Sequence, residues 1–180
     1  MLKAKFFRLI QINTIKQMRL QINNQAPDFK LVNTEKKNVT LSEQKGKNVV
    51  LLFFPLAFTS TCTAELCQTR DDLEFYNKIN AVVFGISNDS NFVLKKFKES
   101  LNLNFELLAD WNKTASEAYG SLYSEFILGM KWVAKRSAFV IDKNGIIKHV
   151  EVLEDANKIP DFEAIKACLE KCWNHFTIKN

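Results

Sequence analysis

Cys62 stands where a chain can turn a thiol into a nucleophile. It closes the stretch Phe53, Phe54, Pro55, Leu56, Ala57, Phe58, Thr59, Ser60, Thr61, Cys62, which follows the apolar run Val49, Val50, Leu51, Leu52. That run is short enough for a buried strand and too short to cross a membrane. Pro55 has no backbone N–H and breaks the strand ladder, and the Ser/Thr-rich segment after it, Thr59 included, supplies N-cap candidates for the amphipathic run that follows. Cys62 is thereby set at a helix start, where unpaired backbone N–H groups and the positive end of the helix dipole favour an anion. A free thiol is only a few per cent ionised at neutral pH, so such a setting decides its reactivity. The chemistry suggested is that of a thiolate nucleophile.

Three further cysteines, Cys67, Cys168 and Cys172, occur in a chain with no clear secretory signal and no CxxC pair. In that context cysteines are more often catalytic, metal-binding or core residues than structural disulfides. Were Cys62 and Cys67 in one regular helix, their Cα atoms would stand about 8 to 9 Å apart and roughly 140° around the axis, beyond the ~7 Å reach of a disulfide. A bridge between them requires the first helical turn to unwind. Cys168 and Cys172 lie four apart on an expected helix with His175 three further on, so one face offers up to three metal ligands. A fourth ligand is missing, and Leu169, Trp173 and Phe176 make the same helix a packing element. No metal and no cofactor are expected.

At 180 residues with 47% hydrophobic side chains the chain fits one domain. The formal charge of +5 and the pI near 9.0 would suit a nucleic-acid partner, but Lys3, Lys5, Arg8, Lys16 and Arg19 supply five positive charges before Asp28, the first acidic residue. The remainder is close to neutral and carries no zinc-finger or RNA-recognition motif, so no nucleic-acid partner is expected. Residues 1–20 hold Phe6, Phe7, Leu9, Ile10, Ile12 and Ile15 among basic and amide side chains, without the unbroken apolar core of a secretory signal or a membrane span. Met18 offers a second translation start, and the domain pattern begins near Ala26. Residues 1–25 therefore read as a basic N-terminal extension and 26–180 as the domain. A cytoplasmic protein is expected, with an organelle the alternative if residues 1–17 are a transit segment.

The elements that must position Cys62 follow in order. Phe29–Val32 and Val39–Leu41 read as a hairpin, Val49–Phe54 as a central strand, and the run after Cys62 as a helix to about Asn80. Ala81–Ser87 is apolar and β-branched, Asn88, Asp89 and Ser90 offer an N-cap for a helix to about Ser100, and Phe105–Leu108 reads as a short strand. A short helix over Asp110–Gly120 is closed by glycine. Ser121–Arg136 mixes aromatic and polar residues without a period and receives no assignment. Ser137–Ile141, a turn at Asp142–Gly145 and Ile146–Val152 form a second hairpin, and Asp161 begins a last helix. The fold class is α/β: a thioredoxin fold with an added N-terminal β-hairpin and a central mixed sheet flanked by helices, with Cys62 at the carboxyl end of a central strand, where open α/β sheets place their ligands.

Pro55, Thr59 and Cys62 fit PxxxTxxC, and in this the chain resembles the peroxiredoxins, whose peroxidatic motif has that form. Arg136, just before the strand Ala138–Ile141, looks like their active-site arginine, and the likeness runs from about Ala26 to Trp173. The wording from Pro55 to Leu66 resembles the alkyl hydroperoxide reductase E-like branch, while Cys67 five residues after Cys62 resembles the bacterioferritin-comigratory branch. The resemblance implies a thiol peroxidase that reduces hydrogen peroxide or an alkyl hydroperoxide. Cys62 would attack the terminal oxygen and become a sulfenic acid, Thr59 would hydrogen-bond the peroxide, Pro55 would shield the sulfur from water, and Arg136 would supply fixed positive charge. It also implies Cys67 as the resolving cysteine and a thioredoxin- or glutaredoxin-like reductant, and leaves a monomer and a homodimer both open. A dithiol oxidoreductase is disfavoured, because CxxC is absent and Pro27, Pro55 and Pro160 leave no proline before the second hairpin. The remaining alternative is a non-catalytic redox-relay or holdase protein on the same fold.

Overall fold

A computed structural model describes residues 20–177. The basic arm that precedes Leu20 and the side chain of His175 lie outside the described residues. Residues 23–26 are already tied to the second hairpin: the Asn23 amide donates to the Ile147 carbonyl at 2.8 Å, and that of Ala26 to Gly145 at 2.9 Å.

The first hairpin joins β1 (Lys30–Asn33) and β2 (Asn38–Thr40), with Leu31 opposite Val39. The Asn33 side chain closes the turn by accepting from the amides of Glu35 and Lys37, as amide side chains do in tight turns. The central strand β3 (Asn48–Phe53) leads to α1 (Ser60–Asp71) and α2 (Leu73–Lys78), and the chain returns through β4 (Ala81–Ser87), parallel to β3. Then come α3 (Asn91–Ser100), β5 (Glu106–Ala109) and α4 (Thr114–Ala118). A small antiparallel ladder of β6 (Leu122–Tyr123) and β7 (Val133–Ala134) precedes the hairpin of β8 (Ser137–Ile141) and β9 (Ile147–Val152), and α5 (Phe162–Thr177) ends the described chain. The main sheet has seven strands in the order β2-β1-β5-β4-β3-β8-β9. It is mixed, with β3, β4 and β5 parallel and β8 antiparallel to β3. This is the thioredoxin fold with an N-terminal hairpin.

The apolar run of β3 is explained by burial on both faces. Val50 and Leu52 face a core with Leu66 of α1, Leu94 and Phe97 of α3, and Ile165 and Leu169 of α5. Val49, Leu51 and Phe53 face the other side, with Phe139, Tyr119 and the Phe29 ring. Most of the helical cover lies on the first face, while α4 and the segment leading to the first hairpin close the second. Ser90 caps α3 as its position suggests, accepting from the Val93 amide at 3.3 Å.

Two sequence expectations change in detail. The helix expected to run to Asn80 divides at Asp72, whose backbone (φ −87°, ψ 1°) leaves the helix and whose carboxylate pairs with Lys166 of α5 at 2.9 Å. A tertiary tie of that kind is invisible to a local period. The unassigned stretch Ser121–Arg136 holds two-residue strands joined through Leu128 and Trp132, both at positive φ, so it has no regular period to read.

Candidate active site

The register of β3 against β8 builds the site. Phe53 pairs with Ser137, so Arg136, one residue before β8, stands level with the point where the chain leaves β3 towards Pro55. A separation of 74 residues closes to 3.3 Å between the Arg136 Nη2 and the Cys62 Sγ.

Cys62 is the third residue of α1 and is 1% exposed. Thr59 occupies the N-cap position, yet its hydroxyl does not cap; it donates to the Leu56 carbonyl at 2.9 Å. The first-turn N–H groups of α1 thus keep their polarity directed at the residues around Cys62. Pro55 is buried behind the loop. The loop is held from β4's end, where the Asp89 carboxylate accepts from the Ala57 amide at 2.8 Å and from the Ser87 hydroxyl at 3.0 Å. Phe58, next to Thr59, sits at φ 65° with its ring 57% exposed and 4.9 Å from that of Phe97. A bulky side chain in the left-handed region costs about 1–3 kcal/mol, and such strain persists where surrounding bonds enforce it.

Arg136 is as buried as Cys62 and has every face of its guanidinium in use. Besides the sulfur, Nη2 and Nε donate to the Ala156 carbonyl at 2.9 and 3.2 Å, and Nη1 pairs with the Glu65 Oε2. Burial works against the charge on Arg136, but Glu65 and Cys62 outweigh it and hold the guanidinium above its ordinary range. Glu65 lies one turn after Cys62 on the same helix face, fully buried, and its Oε1 has no hydrogen-bond partner among the described residues. Burial pushes its carboxyl from 4.5 up to about 7, against the pull of Arg136. The folded-state value lies above the unfolded one, so this group's contribution to stability is full below about pH 4.5 and is lost as pH rises through about 7. Glu65→Gln is expected to flatten that slope, which amounts to about 3 kcal/mol for a shift of this size. Urea midpoints of both proteins at about pH 5 and about pH 8 measure it, and equal slopes would assign the pH dependence elsewhere.

The structure therefore brings Cys62, Thr59, Pro55 and Arg136 to one place. Cys67 lies on the same uninterrupted helix α1, partly exposed, and all four cysteines are free. Cys168 and Cys172 belong to α5, and no cluster of three metal-binding side chains occurs among the described residues. Sequence reasoning missed Glu65, Asp89 and the Ala156 carbonyl. Only Glu65 left a signal, its spacing of three from Cys62.

The chain matches the AhpC/TSA family over residues 22–150. The Peroxiredoxin Bcp of Bacillus subtilis (strain 168) is 39% identical over 129 residues, covering 71% of this chain and 82% of the relative. The Putative peroxiredoxin bcp of Coxiella burnetii is 37% identical over 134 residues, covering 74% and 89%. Among solved structures, the Peroxidoxin BcpB of Mycobacterium tuberculosis superposes with a TM-score of 0.75 at 28% identity, over 84% of this chain and 97% of that one. The reduced 2-Cys Peroxiredoxin of Plasmodium vivax gives 0.76 at 25% identity, over 88% and 84%.

Proposed function

We propose, from the premise that the chain belongs to the AhpC/TSA family and is a peroxiredoxin, a thiol peroxidase, that Cys62 is its peroxidatic residue and Cys67 its resolving one. The observation that carries the first assignment is the Arg136 Nη2 at 3.3 Å from the Cys62 Sγ in the first turn of α1. The sulfur attacks the terminal oxygen of hydrogen peroxide or an organic hydroperoxide, water or an alcohol leaves, and a sulfenic acid remains. Arg136 and the first-turn amides face the charge that develops along the breaking O–O bond. Thr59, exposed at the loop's end, turns its hydroxyl from Leu56 to the peroxide, and Pro55 keeps water from the sulfur.

Resolution by Cys67 requires α1 to open its first turn, a local unfolding of a few kcal/mol. The strained Phe58 and the uncapped Thr59 at that end support this. A thioredoxin- or glutaredoxin-like protein then reduces the bridge by thiol–disulfide exchange. Residues 26–180 as the catalytic domain after a basic extension, a cytoplasmic setting and a homodimer belong to the same reading, the exposed Phe58 beside the site being area a second copy would cover. After one equivalent of peroxide, mass spectrometry is expected to find a Cys62–Cys67 disulfide. A lasting Cys62 sulfenate would overturn Cys67's role, and unconsumed peroxide would overturn that of Cys62.

A further inference from the structure

Two of the four thiols lie away from this centre. Cys168 and Cys172 occupy successive turns of α5 on one face, and both are partly exposed. Cys168 packs against the core beside Leu169. Cys172 lines a cavity of about 60 Å³ with Gly46, Asn48, Asn80, Lys143 and Trp173, room for about two waters. Asn48 opens β3, whereas Cys62 lies beyond its far end at Phe53. Five strand steps separate those ends by about 17 Å. Cys172 therefore does not reach the Cys62 sulfenic acid in this fold, and the pair has its own chemistry.

Cys172 lines the cavity, whereas Cys168 packs against the core. The two thiols also act on each other: Cys172 and burial push Cys168 up, while Cys168 holds Cys172 below its ordinary range, with burial and Asp142 opposing and Lys148 assisting. The thiol at the cavity is thus placed as the nucleophile and the core-packed one as its partner.

We propose that Cys168 and Cys172 form a second oxidisable dithiol, in which Cys172 attacks a peroxide at the mouth of the small cavity and Cys168 closes a disulfide upon it. In the first step the Cys172 sulfur bonds to one oxygen of hydrogen peroxide, the O–O bond breaks, and one water leaves a sulfenic acid behind. In the second the Cys168 sulfur attacks that of Cys172, the S–O bond breaks, and a second water leaves. Two thiols give up two electrons and two protons, and one peroxide becomes two waters. In a regular helix the two Cα atoms stand about 6 Å apart, within reach of a disulfide, but the Cβ atoms at about 5–6 Å exceed its ~3.8 Å. Closing the bridge therefore draws two successive turns of α5 together. Oxidation is coupled to loosening of those turns.

The test removes the first centre, so its outcome does not depend on the roles of Cys62 and Cys67. The double variant Cys62→Ser/Cys67→Ser, which leaves α5 intact, is exposed to hydrogen peroxide, alkylated and digested. The peptide with Cys168 and Cys172 is expected to have lost two hydrogens, to escape alkylation and to recover both thiols with dithiothreitol. With Cys168→Ala added, the same treatment is expected to leave Cys172 as a sulfenic acid that dimedone traps. Full alkylation of both thiols after peroxide, or oxidation of either one with no bridge in the double variant, would overturn the proposal.

Discussion

Cys62→Ser is expected to cut peroxide consumption by about a thousandfold or more, to the floor set by the remaining thiols. At about 1.36 kcal/mol for each tenfold change, that is a loss of about 4 kcal/mol of transition-state stabilisation. The site itself survives the change. A serine oxygen is smaller than the sulfur, fits the buried position and still accepts from the Arg136 Nη2, so the fold is expected to unfold at nearly the same denaturant concentration. What disappears is the sulfur nucleophile that takes an oxygen atom from a peroxide. Equal consumption by both proteins would leave only a non-catalytic role on this fold, and consumption lost together with stability would point to a packing cysteine.

The sequence carried this much because the peroxidatic stretch obeys local rules. A short apolar strand, a proline that ends it, hydroxyl residues and then a helical stripe are read without knowledge of the rest of the chain, and α1 starts at Ser60 accordingly. The two hairpins and the Ser90 cap were legible for the same reason. Arg136 was legible only through a resemblance, since its approach to Cys62 depends on the β3–β8 register, which no local pattern encodes. Glu65 left only its spacing of three from Cys62, which does not say that it is buried. A glutamate in the second turn of a helix ordinarily faces water, and only the arrival of Arg136 from β8 makes a buried carboxylate tolerable there. Asp89 was hidden in the same way, because it reads as one of three capping candidates before α3, while its carboxylate is turned instead to the Ala57 amide of the active-site loop. Trp132 and Leu128 defeat periodicity outright, since residues at positive φ belong to neither helix nor strand.

Arg136→Met is expected to lower the rate of peroxide reduction by about 10²–10³-fold, the usual cost of removing a preorganised donor from a charge-developing site. Methionine keeps much of the stem's volume and removes the head that joins three groups: the Cys62 sulfur on α1, the Glu65 carboxylate one turn later and the Ala156 carbonyl before α5. Loss of one partner from a buried ion pair costs about 3–5 kcal/mol when the other stays charged. Glu65 has a way out, because its carboxyl already sits up at about 7 and, without Arg136, takes a proton more readily still. The variant is therefore expected to be closest to the parent in stability under mildly acidic conditions and to fall away as pH rises. Activity behaves differently, remaining low at every pH at which the variant is folded, because no protonation of Glu65 restores a cation beside Cys62. Arg136→Lys separates the two functions of the side chain. An ammonium supplies charge but cannot meet the sulfur, the carboxylate and the Ala156 carbonyl at once, so part of the rate is expected to return while much of the stability loss remains. Rates and denaturation midpoints across pH for both variants check this, and a methionine variant that kept the parent's rate would remove Arg136 from the chemistry.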